Sequence, residues 1–217
     1  MTESKNKFGY LELIIGPMYS GKTSKLLEIY KQCKFCDIGV TVINYAEDVR
    51  YHDEMLSTHD KEMIPCIQLT ELPTREGLQK TLETLCELDH DEHREVLKKK
   101  CLIYCDIFNN TSKVILVNEG QFFGNLKEFV VEMLSINKKI YVSGLDGDFK
   151  REKFGQILDL IPLCDKVTKL TSLCSICKDG TPGIFSLRLS EQEEQKVIGS
   201  DNYIPVCRKC YNLKSQN

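Results

Sequence analysis

The stretch that most constrains this chain is "YLELIIGPMYSGKTSKLLEIYKQC", residues 10–33. An apolar run of strand length enters Gly16, Pro17, Met18, Tyr19, Ser20, Gly21, Lys22 and Thr23, a GxxxxGKT pattern. Leu26, Ile29, Tyr30 and Cys33 then recur at helical spacing. A strand before this pattern and a helix after it are the context in which it binds phosphate. The glycines let the loop curl so that its amides face phosphate oxygens, and the helix N-terminus adds its positive dipole end. Lys22 is expected to reach the β- and γ-phosphates, and the Thr23 hydroxyl to ligate Mg²⁺. A plain glycine turn with an exposed lysine is the bland alternative, and the flanking strand and helix argue against it.

Further strands are predicted at "VTVINY" (40–45), "IPCIQL" (64–69), "VILV" (114–117) and "KIYVSGL" (139–145), with a helix at "LKEFVVEMLSI" (126–136). Strands that are apolar nearly throughout and alternate with helices predict an α/β fold, its parallel sheet covered on both faces. Between Leu69 and Lys113 the pattern is less regular. Leu78, Leu82 and Leu85 are helically spaced, and "DEHREVLKKKC" reads as a helix with lysines at its C-terminus. Asp91, Glu92 and Glu95 beside those lysines favour a solvated helix face over a nucleic-acid patch.

The texture changes after Leu170, where paired cysteines, Gly180, Pro182, Gly183 and short β-like runs such as "GIFSLRLS" suggest a small metal-stapled unit. The predicted division is residues 1–170 and 171–217, and 217 residues suit one domain with an appendage. Eleven cysteines fit no disulfide framework in a reducing compartment. Cys174/Cys177 and Cys207/Cys210 form two CxxC pairs that together offer four thiolates to one structural zinc, leaving no open position for catalysis. Cys33 and Cys36, without a second pair, are expected to pack as small hydrophobes.

A net charge of −3 argues against non-specific DNA binding. No apolar run is long enough to span a bilayer, and Glu12 spoils the only N-terminal apolar stretch as a signal peptide. The expectation is a cytoplasmic protein with no membrane or nucleic-acid partner.

"VILVNEGQFF" (114–123) carries the sharpest single residue. Glu119 follows a buried strand and so falls on the carboxyl edge of the sheet, where ligands bind in open α/β folds and where the phosphate loop also opens. A general base for a hydroxyl attacking a γ-phosphate needs that placement. Beside it, Asn118 stands where an aspartate commonly helps hold Mg²⁺; an asparagine carbonyl can still accept a hydrogen bond from a metal-bound water.

These blocks, with "GLDGDFKREKFGQILDLIPLCDKV", "KLTSLC" and "VIGSDNY", resemble the cellular and poxviral type of thymidine kinase in order from Tyr10 to Tyr211. The resemblance implies a RecA-like P-loop domain and a zinc-bound domain whose lasso loop closes over the base. It further implies transfer of the ATP γ-phosphoryl to the 5′-hydroxyl of thymidine, in a homotetramer inhibited by thymidine triphosphate. Carried across, Glu119 corresponds to the catalytic base. Asp48, Arg50, Asn118, Gly120 and Gln121 join the phosphate loop around ATP. Met18, Phe122, Leu145, Phe149 and Phe154 surround the base; Gln195, Lys196, Val197, Ile198 and Gly199 give it backbone contacts; and Tyr203 packs and hydrogen-bonds. Asn118 in place of aspartate, Asp148 and Glu152 in "GDFKREKF", and the long connection from Leu69 to Lys113 depart from the family pattern. A kinase accepting a different or broader nucleoside set is the runner-up among enzymes. A P-loop ATPase with a nucleic-acid-binding zinc ribbon is a rival from another class, but residues 171–217 lack a basic cluster and interleaved aromatics. An inactive relative is encouraged only by Asn118.

Overall fold

Along β1 (Tyr10–Ile15), Leu11, Leu13 and Ile15 point to one side of a sheet and Ile14 to the other, all buried. That alternation requires cover on both faces. The structure is a computed structural model that describes residues 8–46, 55–57, 62–87, 92–109, 111–190, 192, 194, 195 and 202–214.

After the phosphate loop come α1 (Lys22–Phe35), β2 (Val40–Tyr45), β3 (Met55–Ser57), β4 (Met63–Pro65) and β5 (Ile67–Leu69). Next are α2 (Arg75–Glu87), α3 (Glu92–Phe108), β6 (Val114–Val117), α4 (Leu126–Ser135), β7 (Lys139–Gly144) and β8 (Lys166–Lys169). The main sheet runs β5-β2-β6-β7-β1-β8, and every pairing in it is parallel. Parallel neighbours need crossovers rather than tight turns, so the helices cover the faces. One face packs Ile43, Ile115, Val117 and Val142 against Leu126, Phe129, Val130 and Met133 of α4 and Ile107 of α3. The other packs Val42, Val114 and Leu116 against Leu26, Leu27 and Cys33 of α1, with Leu56 and Ile64 closing over them.

Two sequence expectations are corrected, and one strand is added. Residues 64–69 are not one strand: β4 pairs antiparallel with β3, and β5 pairs parallel with β2. Pro65 has no N–H to continue a ladder, so the chain changes partner there. The lysine run is not a helix C-terminus. Cys101, Tyr104 and Ile107 extend the apolar face at helical spacing, so α3 runs on to Phe108 with Lys98, Lys99 and Lys100 exposed along it. Finally, β8 lies in "KVTK", a segment not read as a strand; its exposed lysines suit an edge.

The C-terminal part holds β9 (Ser172–Leu173) paired with β10 (Pro182–Gly183), β11 (Phe185–Arg188) paired with β12 (Tyr203–Val206), and α5 (Arg208–Lys214). Among the described residues no helix is long and apolar enough to cross a membrane.

Candidate active site

The phosphate loop joins β1 to α1 as the pattern predicts. Gly21 has φ 83° just before α1, and Tyr19 has φ 61°. A Cβ on Gly16 would stand 2.4 Å from the Leu170 carbonyl oxygen, so the loop passes too close to the chain after β8 for any side chain. Lys22 is buried, and its ammonium donates to the Pro17 carbonyl at 2.6 Å, curling over its own loop. The Ser20 hydroxyl is buried with no hydrogen-bond partner among the described residues. A buried donor left unmatched inside a phosphate loop fits an incoming phosphate oxygen. Thr23, half-buried in the first turn of α1, is placed to offer its hydroxyl to a phosphate-bound cation. Met18 is tied outward, its N–H donating to Ser186 Oγ of β11 at 3.0 Å.

Two strands along the sheet from β1, β6 ends at Asn118 and Glu119. Glu119 adopts the left-handed conformation with φ 53° and ψ 42°, and a single turn of 3-10 helix, Gly120–Phe122, follows. For a non-glycine residue this backbone is costly and marks a position held by its surroundings. A Cβ on Gly120 would meet Val142 Cγ1 at 2.6 Å, so the turn is pressed onto β7. The half-buried Glu119 carboxylate accepts a hydrogen bond from Gln121 Nε2 at 2.6 Å.

Asn118 is 3% exposed and belongs to a chain of polar side chains crossing the ends of neighbouring strands. Ser143 Oγ donates to Asn118 Oδ1 at 2.8 Å, and Asn118 Nδ2 donates to Asn44 Oδ1 at 2.8 Å. Asn44 Nδ2 donates to Gln68 Oε1 at 3.1 Å, and Gln68 Nε2 reaches Cys66 Sγ at 3.6 Å. The carbonyl that the sequence suggested for a metal-bound water is thus already engaged by Ser143. Asn44, Gln68 and Ser143 were not singled out in the sequence; only sheet register brings them beside Asn118.

The residues expected around the base gather in part. Phe122 and Phe154 stack edge to face with ring centroids 5.4 Å apart, and Tyr45 lies 5.1 Å from Phe122. Leu145 donates its N–H to Gln121 Oε1 at 3.0 Å. Phe149 lies under the Arg188 guanidinium, 3.6 Å from the ring centroid. Arg188 was missed, although its spacing from Ser186 in "FSLR" places both on one strand face, and both are buried. Its Nη1 donates to the Gln192 carbonyl at 2.8 Å and the Glu194 carbonyl at 2.5 Å; its Nη2 donates to the Gln195 carbonyl at 3.2 Å and Tyr203 Oη at 2.5 Å. The Gln195 side chain donates to Asp148 Oδ2 at 2.7 Å, while Asp148 Oδ1 accepts from the N–H groups of Lys150 and Glu152. Asp148, a departure from the family pattern, therefore bridges the loop after β7 to Gln195, the first residue of the expected lasso. Asp48, Arg50, Lys196, Val197, Ile198 and Gly199 lie outside the described residues.

The four cysteines converge. Cys174, Cys177, Cys207 and Cys210 bring their sulfurs within 4.8 Å of one another. Cys177 Sγ lies 3.8 Å from Cys207 Sγ and 3.4 Å from Cys210 Sγ, near the spacing of about 3.8 Å for four sulfurs around one zinc. Burial opposes ionisation of Cys174, but backbone N–H donors of Cys177, Cys207 and Ile176 bring its thiol down to about 6. The Cys177 sulfur beside Cys210, with burial, pushes that thiol up to about 12. Four thiols crowded this closely cannot all ionise unaided, a conflict that a divalent cation resolves. The cluster can therefore hold a structural metal. Cys33, buried on α1's core face, packs as expected, whereas Cys36 is exposed.

A parallel α/β sheet carrying a phosphate loop and a held carboxylate at the ends of its strands defines a P-loop phosphotransferase. The thymidine kinase family model matches residues 9–86 and 88–211, and this chain belongs to that family. It is similar to the thymidine kinase of Sheeppox virus (strain KS-1), 34% identical over 209 residues covering 95% of this chain and 99% of that protein. It is also similar to those of Myxoma virus (strain Uriarra), 35% identical over 205 residues with 94% and 96% covered, and Vaccinia virus (strain Western Reserve), 35% over 207 residues with 94% and 97% covered. Domain III of the Thermotoga maritima replication initiation protein DnaA matches with a TM-score of 0.41 and 15% identity over 77% of this chain and 56% of that chain, too distant a likeness to carry an argument.

Proposed function

We propose that this chain is a thymidine kinase that transfers the γ-phosphoryl of ATP to the 5′-hydroxyl of thymidine, with Glu119 as its general base. The observation that carries the reading is the pairing of a complete phosphate loop with a held carboxylate, each following the carboxyl end of a parallel strand. The loop amides, Lys22 and the Ser20 hydroxyl would hold the phosphates, and Thr23 would offer its hydroxyl to Mg²⁺, which neutralises charge on the transferring phosphoryl when bound. Phosphoryl-transfer transition states are largely loose, so Glu119 chiefly orients the hydroxyl and accepts its proton late.

Residues 1–170 would form a RecA-like kinase domain, a reading supported by the placement of β7 between β1 and β6. Residues 171–217 would form a zinc-bound lasso domain. Phe122, Leu145, Phe149, Phe154 and Met18 would line the base pocket, with Tyr203 and residues 195–199 closing it and Asp48 and Arg50 at the donor phosphates. Family membership supports a homotetramer in the cytoplasm, inhibited by thymidine triphosphate.

The test is phosphorylation of radiolabelled thymidine beside single-stranded-DNA-stimulated ATP hydrolysis. Thymidine monophosphate is expected, with no stimulation by DNA. Glu119→Gln is expected to lose about 10²–10⁴ in kcat, the usual range for a general base. Near-normal turnover in that variant would defeat the assignment.

A further inference from the structure

We infer that Gln121 is the positioning residue of the general base, holding Glu119 in its ionised, aimed state through an amide whose orientation the fold fixes. The inference rests on Glu119 being the base. A glutamine amide can ordinarily rotate so that its oxygen and nitrogen exchange places. Here it cannot. Gln121 Oε1 accepts the Leu145 backbone N–H at 3.0 Å, and a backbone N–H accepts nothing in return. The nitrogen must therefore face Glu119 Oε2, 2.6 Å away.

Packing leaves the side chain no other course. Gln121 is 3% exposed. A Cβ on Gly144 would stand 2.3 Å from Gln121 Oε1, so that glycine makes the room in which the side-chain amide sits. A Cβ on Gly155, at φ +56°, would stand 2.1 Å from the Gln121 main-chain carbonyl oxygen, so the backbone that carries the amide is packed as closely. Leu145 begins the loop after β7, so the same amide ties that loop to the turn after β6. A donor fixed on a carboxylate favours its charged form, and the charged form is what removes a proton.

Gln121→Glu separates this role from simple packing. In the variant, one proton shared between two carboxyl groups about 2.6 Å apart reproduces the amide's pattern: an acceptor toward Leu145 and a donor toward Glu119. When pH rises and that proton leaves, two carboxylates repel and Glu119 loses its position. Measured as kcat at saturating ATP and thymidine, the variant-to-wild-type ratio is expected to fall about tenfold or more from acid to alkaline pH. A ratio independent of pH would overturn the inference.

Thermal unfolding reports whether the variant folds. Should it not, Gln121→Met keeps the volume without the donor. It is expected to lower kcat about tenfold or more with the thymidine KM within about twofold, as for an interaction realised in the transition state. A raised KM at unchanged kcat, or no change in either, would overturn the inference. Glu119→Gln run alongside keeps the two readings apart. Normal turnover there removes the general base and its positioning residue together, whereas loss of turnover with a pH-independent Gln121→Glu ratio removes only the role of Gln121.

Discussion

Asn118 donates its side-chain amide to Asn44 Oδ1 at 2.8 Å, in the middle of a run in which every donor points the same way, from Ser143 toward Cys66. An aspartate at 118 would set an acceptor against the Asn44 oxygen. Asn44 would have to turn over, and then Gln68 in its turn. Asn118→Asp is expected to cost about 1–3 kcal/mol of stability, the penalty for a buried polar group with the wrong partner. Asn44→Asp should cost less, because Asn118 can still donate to it and only Gln68 must turn. Thermal or urea unfolding of the two variants decides this, and equal losses would mean the direction of donation is not fixed.

The cysteine cluster is expected to carry about one zinc per chain. Cys207→Ala should lose it, while Cys33→Ala should keep it, because Cys33 packs in the core on the buried face of α1. Elemental analysis of the purified proteins is the check. Chelation should raise the thymidine KM, since Cys207 directly follows β12, the strand that holds Tyr203.

Arg188 gathers the carbonyls of Gln192, Glu194 and Gln195 and also donates to the Tyr203 hydroxyl. A lysine keeps the charge but not the planar fork that reaches several acceptors at once. Arg188→Lys is therefore expected to raise the thymidine KM about tenfold and to leave ATP binding little changed. A fluorescent-nucleotide titration beside steady-state thymidine kinetics separates the two. Equal weakening of both ligands would place Arg188 in general folding instead.

Much of the architecture was legible because it follows from periodicity: buried runs became the parallel strands, and the phosphate loop fell between strand and helix. What failed did so locally. Pro65 divided a strand because it lacks an N–H, and α3 outran its lysines because Cys101, Tyr104 and Ile107 continued the buried face. Within the site, Glu119, the phosphate loop and the four cysteines announced themselves by pattern. The Ser143-Asn118-Asn44-Gln68 chain could not, since it joins residues at the ends of four neighbouring strands through register alone. Arg188 escaped because an arginine in a short β-like run is ordinarily exposed.

Glu12, set in the middle of β1, accepts hydrogen bonds from Thr168 Oγ1 at 2.6 Å and Tyr10 Oη at 3.0 Å, with Lys166 Nζ at 3.0 Å. Burial works to raise its pKa, but the Thr168, Lys166 and Tyr10 contacts outweigh burial and hold it below the usual glutamate value. A depressed folded-state value stabilises the protein above the unfolded pKa, about 4.3, and that contribution disappears as pH falls through the folded value. Glu12→Gln should therefore destabilise the protein more at neutral pH than in acid. Unfolding measured on both sides of pH 4 tests the sign, and a gap that widened in acid would contradict it.

The bond from Met18 N–H to Ser186 Oγ joins residues 168 positions apart. During synthesis the N-terminal part emerges first, so the phosphate loop leaves the ribosome long before the strand that braces it. A nascent chain ending before β11 would carry the nucleotide-binding signature without its outer support. Competence to grip nucleotide would then arrive late in translation, and a prematurely terminated product would be a poor competitor for ATP.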